Sequence, residues 1–495
     1  MAGKARSKPA REAKTPQQSE PVNGTSALPR RATSLAVAAI VVAIAVLART
    51  WPEIAGRGRG GGALGALRVG ACGFGGPDDP GAVQVVELSQ LGGLRLPAGI
   101  RCPVVIRGLS ETQAWRDLGR WGDLKELARR TPSTVSFDAS ADGEFAYWDN
   151  QSLLAARVRQ TGVLRQGYAK MKGPRKAFFE ALAHGSGSTF GSVRYGGKLQ
   201  DFSRDAARSL GTQAVELTPE GPSASPPSLW LSAAGSFSTA HYDSFHNVFI
   251  MLGGEKQMLL SPAADAHLFH IYPGTHPLAR QARRHFGRLD GASQSELPAA
   301  TRVMSASIRG GEALFIPAGW LHHVTARTTA VSLALTALPR EHHDFNAWMV
   351  EGGAAVLPFV ASGGDWTTRR LAASLRVFTP ALLQAIDFGA SWSGQDPLDV
   401  LVNVGYGLQT RAELGLPAKL PRYKPCDEAP AADQRAAEAA AAQVAARFNT
   451  YQEELRGLYI MPYLETALSR VAGAEREPAK IMHITMGFVE TCMRA

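Results

Sequence analysis

The chain has 495 residues, 45% of them hydrophobic, and a net charge of +10. This length and apolar content fit one large globular domain plus a second region. The charge is uneven: residues 1–62 hold ten Lys/Arg against three acids, so the remainder is nearly neutral and no basic surface for nucleic acid is indicated.

Residues 1–31 are polar, basic and rich in Lys, Pro, Gln and Ser, and read as a disordered tail. Residues 32–48 (ATSLAVAAIVVAIAVLA) form an uncharged apolar run behind Arg30 and Arg31. Its length sits at the low edge of the ~17–25 residues that a spanning helix needs. The run predicts an uncleaved signal-anchor, which tethers the chain to a membrane. Its basic flank would be cytoplasmic and the folded part lumenal (ER or Golgi) or extracellular. A cleaved signal peptide of a secreted protein, an organelle transit peptide and a buried helix are the alternatives. Residues 49–68 are a Gly/Arg-rich linker. None of the four cysteines, Cys72, Cys102, Cys426 and Cys492, lies in a C-x-x-C, which argues against zinc. Disulfides Cys72–Cys102 and Cys426–Cys492 would respect the regions; free buried thiols are the other reading.

VQVVEL (Val83–Leu88) and CPVVIRGL (Cys102–Leu109) are strand-like. Thr112–Arg130 spaces Trp115, Leu118, Trp121, Leu124 and Leu127 as a helix does, and these read as core contacts. Phe145–Asn150 and Val193–Leu199 read as barrel strands or substrate-facing loops. Pro174–Leu182 reads as a helix with the proline in its first turn, and Glu216–Pro227 as a loop.

The chemistry lies in Ser228–Pro262. Leu229–Leu231 and Phe237–Tyr242 have strand character, and Asn247–Leu252 and Lys256–Leu260 are apolar runs. Gly253-Gly254 between those runs predicts a tight hairpin. Alternation along a strand puts His241 and Asp243 on one side. A third ligand from a distant strand would complete a facial set of two histidines and one carboxylate. The opposite positions then stay open for substrate and O2, as non-haem Fe(II) oxygenases require. The second stretch, Gly310–Ala326, offers His322 and His323, which point to opposite faces. A lysine inside an apolar strand, Lys256, needs an anionic partner, because burying an unpaired ammonium is costly. A second His-x-Asp, His342-His343-Asp344, has no strand pattern around it and reads as chance. Between the ligand strands, His267–Leu297 is a long polar loop of the kind that selects substrate at a barrel mouth. Its histidines, His267, His270, His276 and His285, read as loop-bracing rather than ligating.

These residues resemble the jumonji-C members of the cupin superfamily, and within them most the asparaginyl hydroxylase of hypoxia-inducible factor. The matching pieces are x-x-A-H-Y-D-x-x-x-N (Ser238–Asn247), G-x-K (Gly254–Lys256), L-x-x-x-Y-P-x-x-H-P (Leu268–Pro277) and I-P-x-x-W-x-H-H (Ile316–His323). PVVIRGL (Pro103–Leu109) is a shorter match, and the likeness spans about Cys102–Arg340. It implies a mainly β fold: a double-stranded β-helix (jelly-roll) core over residues 69–340, with helical N-terminal elements. It also implies a dioxygenase using Fe(II), 2-oxoglutarate and O2 on a protein or peptide. Carried over, the metal ligands are His241, Asp243 and His322, the first of the adjacent pair. Lys256 would hold the distal carboxylate of 2-oxoglutarate. Ser238 sits where the family has a threonine, and Thr239 next door could substitute. Asn247 falls where the family has an asparagine, and Thr336 where its closest members have another. Hydroxylation of a side chain is the expected outcome; N-methyl demethylation and a non-catalytic binding module are the alternatives.

After Arg340 the pattern turns helical: Phe345–Val356, Thr368–Ile386, Ala429–Ala446 and Asn449–Val471. This region, 341–495, holds no convergent motif. It is expected to pack on the barrel or to form a homodimer.

Overall fold

Among the described residues, fourteen strands lie between Gly81 and Ala337. They are β1 Gly81–Ala82, β2 Gln84–Glu87, β3 Val104–Arg107, β4 Thr134–Ser140, β5 Ala169–Pro174, β6 Ser192–Lys198 and β7 Ser228–Ser232. β8 Phe237–Tyr242, β9 His246–Gly253, β10 Glu255–Ser261, β11 Met304–Arg309, β12 Ala313–Ile316, β13 Leu321–Ala326 and β14 Ala330–Ala337 follow. The computed structural model describes residues 72–91, 100–184, 191–202, 226–286, 295–350, 368–386, 397–422, 428–471 and 478–493. One sheet has the order β1-β11-β10-β13-β8 and the other β2-β3-β12-β9-β14-β7-β6-β4-β5. The last eight strands divide evenly between the sheets, so the chain winds back and forth as a double-stranded β-helix. This is the jelly-roll core that the family resemblance implied.

Burial explains the apolar runs. In β9, Phe249 and Met251 face the space between the sheets with Met258, Leu260, Ile308, Leu314 and Ile316. Val248 and Ile250 face outward into a second cluster with Trp121, Leu127, Phe178 and Leu182 from the flanking helices. A strand covered on both faces needs no polar alternation. The helical spacing over Thr112–Arg130 resolves into two α-helices, Gln113–Leu118 and Leu124–Arg130, joined by a 3-10 turn, Gly119–Gly122, in which Trp121 is fully buried. Phe145–Asn150 forms no strand.

The predicted Gly253-Gly254 hairpin is not one. β9 pairs with β12 and β14, whereas β10 pairs with β11 and β13. Gly253-Gly254 is a corner where the chain passes between the sheets. Gly254 has φ 76°, and a Cβ there would lie 2.9 Å from the Cα of Ala330, so the corner needs glycine. The apolar pattern marks both strands but says nothing of which sheet each joins.

The C-terminal region supplies α1 Arg340–Val350, α2 Thr368–Ala385, α3 Ala431–Phe448, α4 Glu453–Val471 and α5 Pro478–Phe488. Phe378, Phe448 and Tyr463 share one buried apolar cluster with Leu259, Ala263, Phe269 and Leu321 of the barrel. Packing on the barrel, one of the two expected arrangements, is therefore present. Cys72 and Cys102 form a disulfide (Cα–Cα 5.7 Å). Cys492 is also disulfide-bonded, and Cys426 lies outside the described residues.

The expected membrane-anchored, lumenal placement is corrected. Among the described residues no helix is long and apolar enough to cross a membrane; α2 and α4 carry arginines and α4 carries glutamates along their length. The 32–48 run behind that expectation, with the 1–31 tail and the 49–68 linker, lies outside the described residues.

Candidate metal centre and its cavity

β8 and β13 run antiparallel with His241 directly opposite His322, and the register shifts just beyond His322. Opposed residues of antiparallel neighbours share a face, so the two imidazoles meet, with ring centroids 4.2 Å apart. Asp243 follows the end of β8, and its Oδ2 lies 3.7 Å from His322 Nε2. One donor atom from each of His241, Asp243 and His322 lies within 4.8 Å of the others. His241 Nδ1 is 2.6 Å from the Thr239 carbonyl and His322 Nδ1 is 3.0 Å from the Trp320 carbonyl. Each Nδ1–H therefore donates to the carbonyl two residues back, which leaves both Nε2 lone pairs for the centre. Burial, then the neighbouring His322, holds the His241 pKa well below its ordinary 6.5. The ring is thus neutral at pH 7, as a metal ligand must be. Two imidazole nitrogens and a carboxylate converging from one side fit a divalent transition-metal ion with open positions.

His323 points the other way. It stacks on Phe237 with centroids 5.5 Å apart, and its Nε2 is 3.2 Å from Thr325 Oγ1. The alternation of β13 thus separates the adjacent histidines as expected. Asp344 of the second His-x-Asp receives hydrogen bonds from Arg447 (2.7 Å) and Tyr451 (2.8 Å) in the helical region. Among the described residues, no other His/Cys/Asp/Glu group could hold a metal.

A cavity of about 320 Å³ opens beside the triad and is lined by Ser238, Asn247, Lys256 and Thr336 as well as His241, Asp243 and His322. Every residue carried over from the family pattern thus faces one space. Lys256 is 3% exposed. Its Nζ donates to Ser332 Oγ at 3.1 Å and lies 4.9 Å from the Phe249 ring centre. No carboxylate among the described residues pairs with it. Burial, reinforced by the charge of Arg194, pulls its pKa down to about 7. Asn247 Oδ1 is buried without a hydrogen bond, and Asn247 sits opposite Thr336 in the β9–β14 register. Thr239 does not stand in for Ser238: its hydroxyl donates to Gln281 Oε1 at 2.7 Å, and it does not line the cavity.

Three further polar lining residues, Arg194, Arg280 and Gln281, lie outside the motifs. Arg280 and Gln281 belong to the long loop after β10. That loop adds to the free edge of β8: Tyr242 N–H donates to Arg280 O (3.2 Å), and Ala282 N–H to Ala240 O (2.8 Å). Arg280 Nη1 then lies 3.6 Å from Asp243 Oδ1. The helical region straps the same loop down. Buried Arg283 makes a two-pronged bond to Glu413 (2.7 and 3.1 Å) and lies 3.7 Å from the Tyr272 ring centre. His276 stacks on Tyr272, and its Nε2 is 3.4 Å from Glu413. His276 thus braces the loop, as the sequence suggested for the four histidines of this segment.

The chain matches a cupin-like domain over residues 98–348. The chain belongs to the cupin-like family. The chain is 29% identical over 109 residues to an Arabidopsis thaliana protein named lysine-specific demethylase JMJ31, covering 21% of this chain and 19% of that protein. It is 30% identical over 106 residues to the Drosophila melanogaster jumonji C domain-containing protein 5 (21% and 26% covered). It is 25% identical over 115 residues to the human bifunctional peptidase and (3S)-lysyl hydroxylase JMJD7 (19% and 36% covered). The matches thus span about a third or less of each relative. They place the cupin-like domain among jumonji-C proteins without singling out the asparaginyl-hydroxylase subgroup.

Proposed function

We propose that this cupin-like protein is an Fe(II)- and 2-oxoglutarate-dependent dioxygenase that hydroxylates a protein side chain. One observation carries the reading: a single cavity holds both a convergent His-His-Asp donor set and a buried lysine with which no carboxylate among the described residues pairs. A metal answers the first need and a small anion the second. In this reading His241, Asp243 and His322 hold Fe(II), Lys256 and Ser238 bind the distal carboxylate of 2-oxoglutarate, and Asn247 and Thr336 line its other end.

With iron and 2-oxoglutarate bound, the chemistry supplied is insertion of one oxygen atom of O2 into a C–H bond, the other oxygen leaving in succinate as CO2 is released. The chain's own part is to bind, orient and exclude water. The Thr239 and Trp320 carbonyls fix the two imidazoles. Phe249, Met258, Ile316 and Val324 keep the cavity wall apolar, which strengthens each charge contact inside it. Tyr147 and Arg280 line the cavity and also a second pocket beside α1 and α4, which gives a peptide room to lie against the mouth.

Purified protein with Fe(II), ascorbate and O2 should convert 2-oxoglutarate to succinate, and His241→Ala protein should not. Proteins from cells with the active chain should carry a one-oxygen mass increase absent with His241→Ala. Folded protein that binds 2-oxoglutarate without turning it over would make it a binding module instead. Formaldehyde released from N-methylated peptides would assign demethylation.

A further inference from the structure

Arg194 is the unexplained charge in this cavity. It sits on β6, outside every motif that marks the metal centre, yet it lines the same space and is only 8% exposed. Its guanidinium lies 4.4 Å from the Phe145 ring centre and 5.3 Å from that of Trp230. Nη1 donates to Ser238 Oγ at 3.0 Å and to the Phe145 carbonyl at 3.4 Å, while Nη2 is 3.5 Å from Asp138 Oδ2. Nε is buried with no hydrogen-bond partner. An arginine held this firmly has lost its rotamer freedom before any ligand arrives.

We propose that Arg194 is a second cationic anchor for the distal carboxylate of 2-oxoglutarate, acting with Lys256 and orienting the Ser238 hydroxyl toward it. The inference rests on the oxygenase reading above. Two observations point the same way. First, charge: Arg280 stands beside Asp243 and Arg194 beside Asp138, so Lys256, when protonated, is the one positive charge in excess among these cavity groups. One bound carboxylate brings the group to neutrality, the condition under which buried charges are tolerated. Second, the hydroxyl: Ser238 Oγ already accepts from Arg194, so its own proton is free to donate elsewhere. A carboxylate in the cavity is the acceptor it can serve. In this way a serine does what a threonine does in the family pattern.

The test is calorimetric binding to the full chain with Mn(II) in place of iron. The probes are 2-oxoglutarate and 2-oxobutyrate, which keeps the keto acid but lacks the distal carboxylate. Wild type should bind 2-oxoglutarate and strongly discriminate against 2-oxobutyrate. Arg194→Gln should weaken 2-oxoglutarate about tenfold or more, the worth of a charge-assisted hydrogen bond. It should leave 2-oxobutyrate within about threefold. A purely structural role would weaken both equally, and that result overturns the proposal, as does an unchanged affinity for 2-oxoglutarate. Should Arg194→Gln not fold, Arg194→Lys keeps the charge but not the fork. It should lose part of the discrimination, and full retention overturns the proposal. Lys256→Gln separates the two levels. If it abolishes discrimination while Arg194→Gln keeps it, the proposal alone fails. If wild type binds no 2-oxoglutarate, the oxygenase reading fails and takes the proposal with it.

Discussion

Replacing Lys256 by methionine should stabilise the empty protein and destroy its cosubstrate binding. The ammonium is 3% exposed, and its surroundings lower its pKa from 10.5 to about 7. At ~1.4 kcal/mol per pH unit, that gap corresponds to roughly 4–5 kcal/mol of folding free energy lost near pH 7. Methionine keeps most of the volume but leaves the Ser332 hydroxyl without its donor, at a cost of about 1 kcal/mol. The net gain at pH 7 should be about 3–4 kcal/mol. The pH dependence has a definite sign. Between about pH 7 and 10.5 the unfolded chain holds a proton on Lys256 that the folded chain does not. Wild-type stability therefore rises with pH through that window, and the advantage of Lys256→Met shrinks. Thermal unfolding at pH 7 and pH 9.5, with and without 2-oxoglutarate, measures all of this. At pH 7 the variant should melt above wild type without ligand, the two should approach each other at pH 9.5, and ligand should raise only the wild-type Tm. A variant that melts below wild type at pH 7 without ligand would refute the reasoning, and so would one that gains as much from ligand.

Three further changes probe the scaffold. Arg283→Met leaves Glu413 buried without its main partner (side chains 5% and 3% exposed). It should cost about 3–5 kcal/mol, seen as a lower Tm and faster proteolysis within residues 271–286; wild-type protease resistance would contradict the strap. Cys72→Ser opens a link across a sequence separation of 30 and should cost about 3–4 kcal/mol. Its Tm should fall below wild type without reductant, and reductant, which also opens the bond at Cys492, should lower the variant's Tm by less than it lowers wild type's. Gly254→Ala forces a side chain into a corner at φ 76°. It should cost about 1–3 kcal/mol and weaken 2-oxoglutarate binding by displacing Lys256 two residues on; unchanged melting and binding would contradict the corner.

His241 and Asp243 were legible because strand alternation is a local rule, and the family resemblance chose His322 over His323. His241 and Asp243 are two apart, and His322 and His323 are forced to opposite faces, so a pattern within a few residues decides where each side chain points. Lys256 was legible for a different reason: an ammonium inside an apolar run demands an anion wherever the strand lies. Arg194 was not legible, because its place in the cavity arises only when β6 joins the sheet beside β7 and its side chain reaches Ser238, 44 positions later in the chain. Gln281 and Arg280 were hidden in the same way, since a polar loop gives no sign that it will pair with the edge of β8. The Gly253-Gly254 corner was misread because glycine pairs mark a change of direction without saying whether the next strand stays in the sheet. The interleaving of the two sheets came from the family resemblance and not from periodicity.

The central claim is that His241, Asp243 and His322 hold one metal ion together. Elemental analysis of protein loaded anaerobically with Fe(II) and freed of excess tests it most directly, using alanine variants at His241, Asp243, His322 and His323. Wild type and His323→Ala should retain one equivalent of iron, and the other three variants should lose it. Iron retained by His241→Ala or His322→Ala, or lost only in His323→Ala, would contradict the account.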